Sequence, residues 1–134
     1  MNATKIVTSF LTQNDKYLIL KRSDKVRSMK GLWSGISGII EGNEDPLFRA
    51  KKEILEETNI FENQISLLRS GPKMRVDSPQ YENHEWHIFP FLFSVKEPKI
   101  KLNWENSDYS WIEPSELKKY QTVPSLENVL SSLL

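Results

Sequence analysis

Residues 38–60, GIIEGNEDPLFRAKKEILEETNI, gather Glu41, Glu44, Glu53, Glu56 and Glu57 around one loop and one helix. Asp45 followed by Pro46 reads as a helix cap and first helical residue, and Leu47, Ala50 and Ile54 supply an apolar stripe at helical spacing. Residues three and four apart on a helix share a face, so Glu53, Glu56 and Glu57 are expected to project toward nearly one point. Glu44 would arrive from the loop before, with the apolar stripe packing on the opposite side. Three crowded carboxylates want a cation. The competing reading is a solvated, salt-bridged helix, since Arg49 to Glu53 and Lys52 to Glu56 are opposite charges four residues apart. In both pairs the basic residue comes first, which is the weaker order. Glu56 and Glu57 also sit in the last turn, where the helix dipole disfavours negative charge by about 0.3–1 kcal/mol each.

The spacing of this segment resembles the signature of the Nudix hydrolase family. That signature reads Gly, five residues, Glu, seven residues, Arg-Glu, an aliphatic, any residue, Glu-Glu, any residue, Gly, an aliphatic. Gly38, Glu44, Glu53, Ile54, Glu56, Glu57 and Ile60 stand at the required positions, while Lys52 replaces the Arg and Asn59 the second Gly. Asn is the next best residue for the left-handed conformation that closes a helix. The change at 52 matters more. The resemblance implies that an Arg there orients the catalytic carboxylate, and an ammonium does not reproduce a two-pronged guanidinium contact, which admits a slower or differently arranged site. Upstream, Gly31-Leu-Trp33 is kept and Ile36-Ser37-Gly38 stands where members often have Pro-Gly-Gly. Downstream, residues 105–117 resemble the acidic loop, Trp-containing strand and short helix that end such a domain. The implied fold is α/β, a Nudix-type α/β/α sandwich with a mixed sheet.

Carboxylates without His or Cys favour a hard, oxygen-seeking ion, Mg²⁺ or Mn²⁺, which typically bridges protein carboxylates to substrate phosphates. The resemblance implies hydrolysis of a nucleoside diphosphate linked to another group, by attack of water on phosphorus, with release of a nucleoside monophosphate. Carried over by position, Glu53, Glu56 and Glu57 become metal ligands, with either Glu53 or Glu57 as the base. Glu105 is a candidate further ligand, with Glu82, Glu85 and Glu97 as rivals, and the carbonyl of Ser37 is another. Glu41 and Glu44 read as structural supports, Glu44 alternatively as a ligand. Arg22, Lys52 and Gly38 are candidate substrate contacts. Arg22 stands at a strand end within the basic run Lys21, Arg22, Lys25, Arg27 and Lys30, which otherwise reads as a solvated loop. Trp33, Trp86 and Tyr81 are candidates to stack on a nucleobase, although Trp33 reads equally as packing. His84 and His87, three residues apart on a strand, point to opposite faces and do not chelate one ion.

ADP-ribose, dinucleoside polyphosphates, nucleoside triphosphates and nucleotide sugars all fit this motif. A non-catalytic domain that senses a nucleotide or holds a protein partner is the alternative, motivated by Lys52 and Ile36-Ser37. The intact Glu53, Glu56 and Glu57 oppose it, because a pure binder has no need of repelling carboxylates. Isopentenyl diphosphate isomerase chemistry would need a cysteine, and the chain has none.

The 134 residues are expected to form one domain, 1–134, that buries roughly two thirds of its extended surface. Lacking cysteine excludes disulfides, thiol catalysis and cysteine zinc sites. Basic and acidic residues balance at 18 each, so no global field draws a polymeric nucleic acid or an anionic membrane. No run approaches the roughly 20 apolar residues of a membrane span, and the N-terminal residues lack a charged start followed by an apolar stretch. A soluble, cytoplasmic protein is expected.

Residues 6–11 and 17–21 read as strands of a hairpin, and 65–69 and 73–76 as weaker strands around Gly71-Pro72, with 77–83 as a loop. Residues 85–95 are apolar on both alternating faces, which suits a central strand, with a bulge or locally free edge at Pro90. The same strand is a candidate edge for a homodimer. Residues 109–112 read as a strand, 114–120 as a short helix and 125–134 as a terminal helix packing through Leu126, Val129, Leu130 and Leu133.

Overall fold

Asn14 and Asp15 hold positive φ angles of 54° and 62°, the pair of conformations a two-residue hairpin loop requires and that Asn and Asp bear with little strain. They join β1 (Asn2–Gln13) to β2 (Lys16–Arg22). In this computed structural model, which describes residues 2–78 and 82–134, β3 (Trp33–Ser34) and β4 (Ile36–Ile39) lead into helix α1 (Pro46–Thr58). Then come β5 (Ile65–Ser70), β6 (Met74–Asp77), β7 (His84–Val95), β8 (Asn106–Ile112) and the short helix α2 (Leu126–Ser131). A 3₁₀ segment, Pro114–Lys119, forms where a short helix was expected.

The hairpin strands stay together only at their turn, where Thr12 opposes Tyr17 and Gln13 opposes Lys16. Beyond it they part. β1 takes β4 along one edge, from Ile6 opposite Ile39 to Ser9 opposite Ile36, while β2 takes β3 and β8. On its other edge β1 runs parallel to β7, and every other pairing between these strands is antiparallel, so the sheet is mixed.

Side chains alternate across this sheet into two layers. Val7, Leu11, Phe91 and Phe93 face α1 with its Ala50 and Ile54, whereas Phe10, Ile88 and Leu92 face Leu117 and the α2 residues Leu126 and Val129. Helices therefore cover both faces, which makes the architecture an α/β/α sandwich. Ile54 is fully enclosed, and cutting it to alanine would cost about 2–5 kcal/mol.

Pro90 explains why the partner beyond β7 comes in two pieces. β5 ends at Ser70 opposite Phe91 and β6 begins at Met74 opposite Ile88, so the ladder is broken around Pro90, whose carbonyl accepts a bond from the Gly71 N–H at 2.9 Å. The homodimer expectation loses its basis here: β7 has β1 on one side and β5 and β6 on the other, so it is an interior strand and no edge. The terminal helix is also shorter than expected. Ser125, at a φ of 68°, starts α2 abruptly, and the helix runs only to Ser131, capped by Ser132. No helix is long and apolar enough to cross a membrane among the described residues.

Candidate active site

Each helical residue advances the side chain by roughly 100°, so positions 49, 53 and 57 form one stripe beside the apolar stripe of 50 and 54. Arg49, Glu53 and Glu57 are all buried, and the carboxylates do not stand opposite the packing face as expected but adjoin it. Glu56 lies on the outer flank of that stripe and is exposed. Carboxylate oxygens of Glu53, Glu57 and Glu105 fall within 4.8 Å of one another. Glu56 is outside this trio, though it lines the same cavity and its charge helps to raise the Glu53 pKa.

Two devices aim Glu53. Behind it, Arg49 donates through Nη1 to Glu53 Oε2 at 3.0 Å, and through Nε and Nη2 to Glu44 at 2.7–3.0 Å, with Glu41 at 3.5 Å. Glu44 in turn accepts the Glu41 N–H at 2.7 Å, which folds the loop onto the helix start. These bonds from Arg49 hold the Glu44 carboxyl below the usual range, and the bonds to Glu44 lift the Arg49 pKa still further above its ordinary value. In front of Glu53 stands Gly38 of β4, where a Cβ would overlap the Glu53 carboxyl group. The glycine there gives the side chain its room.

Glu57 is 4 % exposed. Asn106 Nδ2 donates to its Oε1 at 3.0 Å, and Oε2 is buried with no hydrogen-bond partner among the described residues. Burial pushes the Glu57 carboxyl well above its ordinary pKa, with Glu105 and Glu53 adding to the effect and Asn106 opposing it. Glu53 is raised for the same first cause, partly offset by Arg49. Buried carboxylates so close repel one another unless protonated or joined by a cation.

Glu105 is held by its loop. Its N–H and carboxylate engage the side chain of Asn103 at 3.1 and 3.3 Å, and its carbonyl accepts the Ser23 N–H at 2.8 Å. Ser23 Oγ also donates to the Trp104 carbonyl at 2.7 Å, so the basic loop after β2 is clamped to the acidic loop before β8. Arg22, the last residue of β2, donates twice to the Ser28 carbonyl and feels the charges of Glu57 and Glu105, while burial pulls its own pKa down. Lys25, Arg27 and Lys30 are exposed.

A cavity of about 550 Å³ joins these groups. At one end it is lined by Arg22, Lys52, Glu53, Glu56 and Glu105, with Ser37 and Gly38 beside them; at the other by Val76, Trp86, Ile88, Val123, Leu126 and Val129. Trp33 instead packs edge-on against Tyr120, ring centres 5.0 Å apart. Tyr81 lies outside the described residues. His84 bonds Thr4 Oγ1, His87 pairs with Glu85, and neither Glu82, Glu85 nor Glu97 joins the acidic trio. Ser37 Oγ is bonded to Thr8 Oγ1 at 3.1 Å.

A family model for the NUDIX domain matches residues 3–133. The chain belongs to the Nudix family. Nudix hydrolases act on phosphoric anhydride bonds and generally use divalent metals, and the chain is accordingly a hydrolase of that class. A search of curated proteins finds no match. Among solved structures, the MutT protein from Methanosarcina mazei Go1 is 18 % identical with a TM-score of 0.76, covering 97 % of this chain and 91 % of its own. A C. elegans Ap4A hydrolase complex is 15 % identical with a TM-score of 0.74, covering 98 % and 94 %. A MutT Nudix hydrolase from Burkholderia pseudomallei is 20 % identical with a TM-score of 0.72 over all of both chains. The fold is thus the Nudix fold.

Against the Nudix signature, Asn59 takes a φ of 61° and donates its N–H to the Leu55 carbonyl, closing α1 as the usual glycine would. Two residues that hold Glu53 and Glu57 escaped the sequence reading. Asn106 is 49 positions from Glu57 and gives no local signal. Arg49 was visible as a helical partner of Glu53, but as a surface pair, and the Glu44 five residues earlier was the clue to its burial.

Proposed function

We propose that this chain, as one Nudix domain over 1–134, cleaves the diphosphate linkage of a nucleoside diphosphate joined to another group and releases a nucleoside monophosphate. The observation that carries this is the buried, partnerless Oε2 of Glu57 beside oxygens of Glu53 and Glu105. An all-oxygen donor set of this charge suits Mg²⁺ or Mn²⁺, held by Glu53, Glu57 and Glu105, with Glu56 and the Ser37 carbonyl at the rim. Such an ion supplies charge neutralisation on phosphate oxygens and a lowered pKa for water.

The chain's own groups divide the remaining work. Arg49 occupies one oxygen of Glu53 and Asn106 one oxygen of Glu57, so each glutamate turns a single oxygen to the shared centre, and one of the two takes the proton from the attacking water. Arg22 and Lys52, which both line the cavity, are the cations we assign to the phosphates. The apolar end, with Trp86 on its wall, suits a flat nucleobase. Gly38 serves by making room for Glu53 and need not touch substrate. The absence of cysteine fits work in a reducing cytoplasm.

A panel of ADP-ribose, diadenosine tetraphosphate, nucleoside triphosphates and a nucleotide sugar, each with Mg²⁺ or Mn²⁺, tests the proposal. Diadenosine tetraphosphate earns its place from the C. elegans neighbour, which is an Ap4A hydrolase. We expect metal-dependent release of a nucleoside monophosphate, and a loss of at least about a hundredfold in Glu57→Gln, the scale of removing an acid–base group. Tight nucleotide binding with no turnover of any compound would overturn this substrate assignment.

A further inference from the structure

We propose that Arg49 is the residue that aims Glu53 into the acidic centre, from one helical turn before it, and that Lys52 is thereby released to face the substrate. The inference rests on the hydrolase reading above for its kinetic arm only.

The guanidinium of Arg49 is spent inward. It is 5 % exposed, and Nε, Nη1 and Nη2 all donate to carboxylate oxygens of Glu44 and Glu53. Glu44 therefore acts as a brace: it fixes the guanidinium plane in two places, and the remaining nitrogen fixes Glu53 Oε2. A planar fork has few ways to satisfy four such bonds, so the Glu53 carboxyl is set in one orientation. With Gly38 on the opposite side leaving no spare volume, Glu53 is clamped front and back.

Lys52 is used differently. Its side chain is exposed, lines the cavity, and forms no ion pair within 4 Å among the described residues. The Nudix signature puts its guanidinium at 52; this chain has its only buried guanidinium of the helix at 49 and a free ammonium at 52. The aiming role has moved, and the vacated position points a flexible cation at the phosphate end of the cavity.

Two readouts test this. Without any substrate, Mn²⁺ affinity is measured by calorimetry for wild type, Arg49→Ala, Arg49→Lys and the double variant Arg49→Ala/Lys52→Arg. If Arg49 acted only as a nearby positive charge, removing it would tighten Mn²⁺ binding. Aiming predicts the opposite, a weakening of about tenfold or more in Arg49→Ala, as for other groups that orient ligands, and recovery of most of it in the double variant. Arg49→Lys keeps the charge, loses the fork and is expected to fall between; it also serves if the alanine variant does not fold. On whichever panel compound turns over, kcat of Arg49→Ala should drop by about thirtyfold with KM within about threefold, and Lys52→Ala should chiefly raise KM. Unchanged or tighter Mn²⁺ binding in both Arg49 variants, or no recovery in a folded double variant, overturns the assignment. Failure of every panel compound would defeat the proposed substrate class while the Mn²⁺ series still decides the role of Arg49.

Discussion

The two ends of the cavity are built by different physics. At the acidic end each group is held by a directed bond: Glu53 by Arg49 of the same helix, Glu57 by Asn106 across to β8, Glu105 by Asn103 of its own loop and by Ser23. At the other end Val76, Trp86, Ile88, Leu126 and Val129 meet only through apolar packing from β6, β7 and α2. Directed bonds fix angles and leave little room to adapt, which is what in-line displacement at phosphorus requires; apolar packing tolerates a change of shape and sets which compound fits. Disturbance at the first end should therefore appear in kcat, and at the second in KM.

Gly38→Ala gives the largest expected break. Its methyl group would occupy the space of the Glu53 carboxyl, and the neighbour that must yield is the buried, Arg49-bound side chain of the proposed metal site. We expect kcat to fall by about a hundredfold with KM little changed, measured by steady-state kinetics with circular dichroism as the folding control. Retention of kcat within about threefold would mean that the acidic end adapts as freely as the apolar one. Asn106→Ala is expected to cost about tenfold in kcat, because Glu57 keeps its burial but loses the bond that turns it.

The sequence disclosed these two ends unequally. The hairpin, α1 with its Asp45 cap and Asn59 terminus, and the doubly apolar β7 were legible because each is written in local chemistry: turn residues, helical spacing and an uninterrupted apolar run. β3 and β4 were not. They are two and four residues long and interrupted by Gly35, and they exist because β2 and β1 offer open edges to pair with. At the site, helical spacing brought Glu53 and Glu57 together as expected, but it treated Glu56 as their equal. What separates the three is which flank of the helix meets the sheet, and that is tertiary information. Glu105 was one of several acidic candidates until the Ser23 clamp fixed its loop. The apolar end draws on residues from 76 to 129 and has no sequence signature.

Trp86→Ala tests that less legible end. Trp86 stands edge-to-face with His84, ring centres 5.7 Å apart, and presents a large apolar surface to the cavity. Removing it should raise KM by about five- to tenfold, the scale of losing one aromatic stacking contact, and leave kcat within about threefold. A fall in kcat equal to that of Asn106→Ala would erase the division between the two ends.

The smallest effect separates them without substrate. Glu53 and Glu57 have pKa values raised by burial above the ordinary 4.5, so the folded chain binds protons there that the unfolded chain has lost. Their contribution to stability is thus fully present below about pH 4.5 and is lost as the pH rises toward their folded values. Glu44 works in the opposite sense: its pKa is lowered, chiefly by Arg49, so its contribution is present above the ordinary carboxylate value and lost below it. In EDTA the melting temperature should fall by a few degrees as the pH rises from about 4.5, and Mg²⁺ or Mn²⁺, which bind the ionised carboxylates, should remove that slope. Glu57→Gln should flatten the metal-free slope, since an amide buried there has no proton to lose, whereas Trp86→Ala should leave the slope intact while lowering stability at every pH. A metal-free melting temperature that stays level or climbs over this range would show that the buried glutamates carry no charge conflict, and the acidic end would then be no more strained than the apolar one.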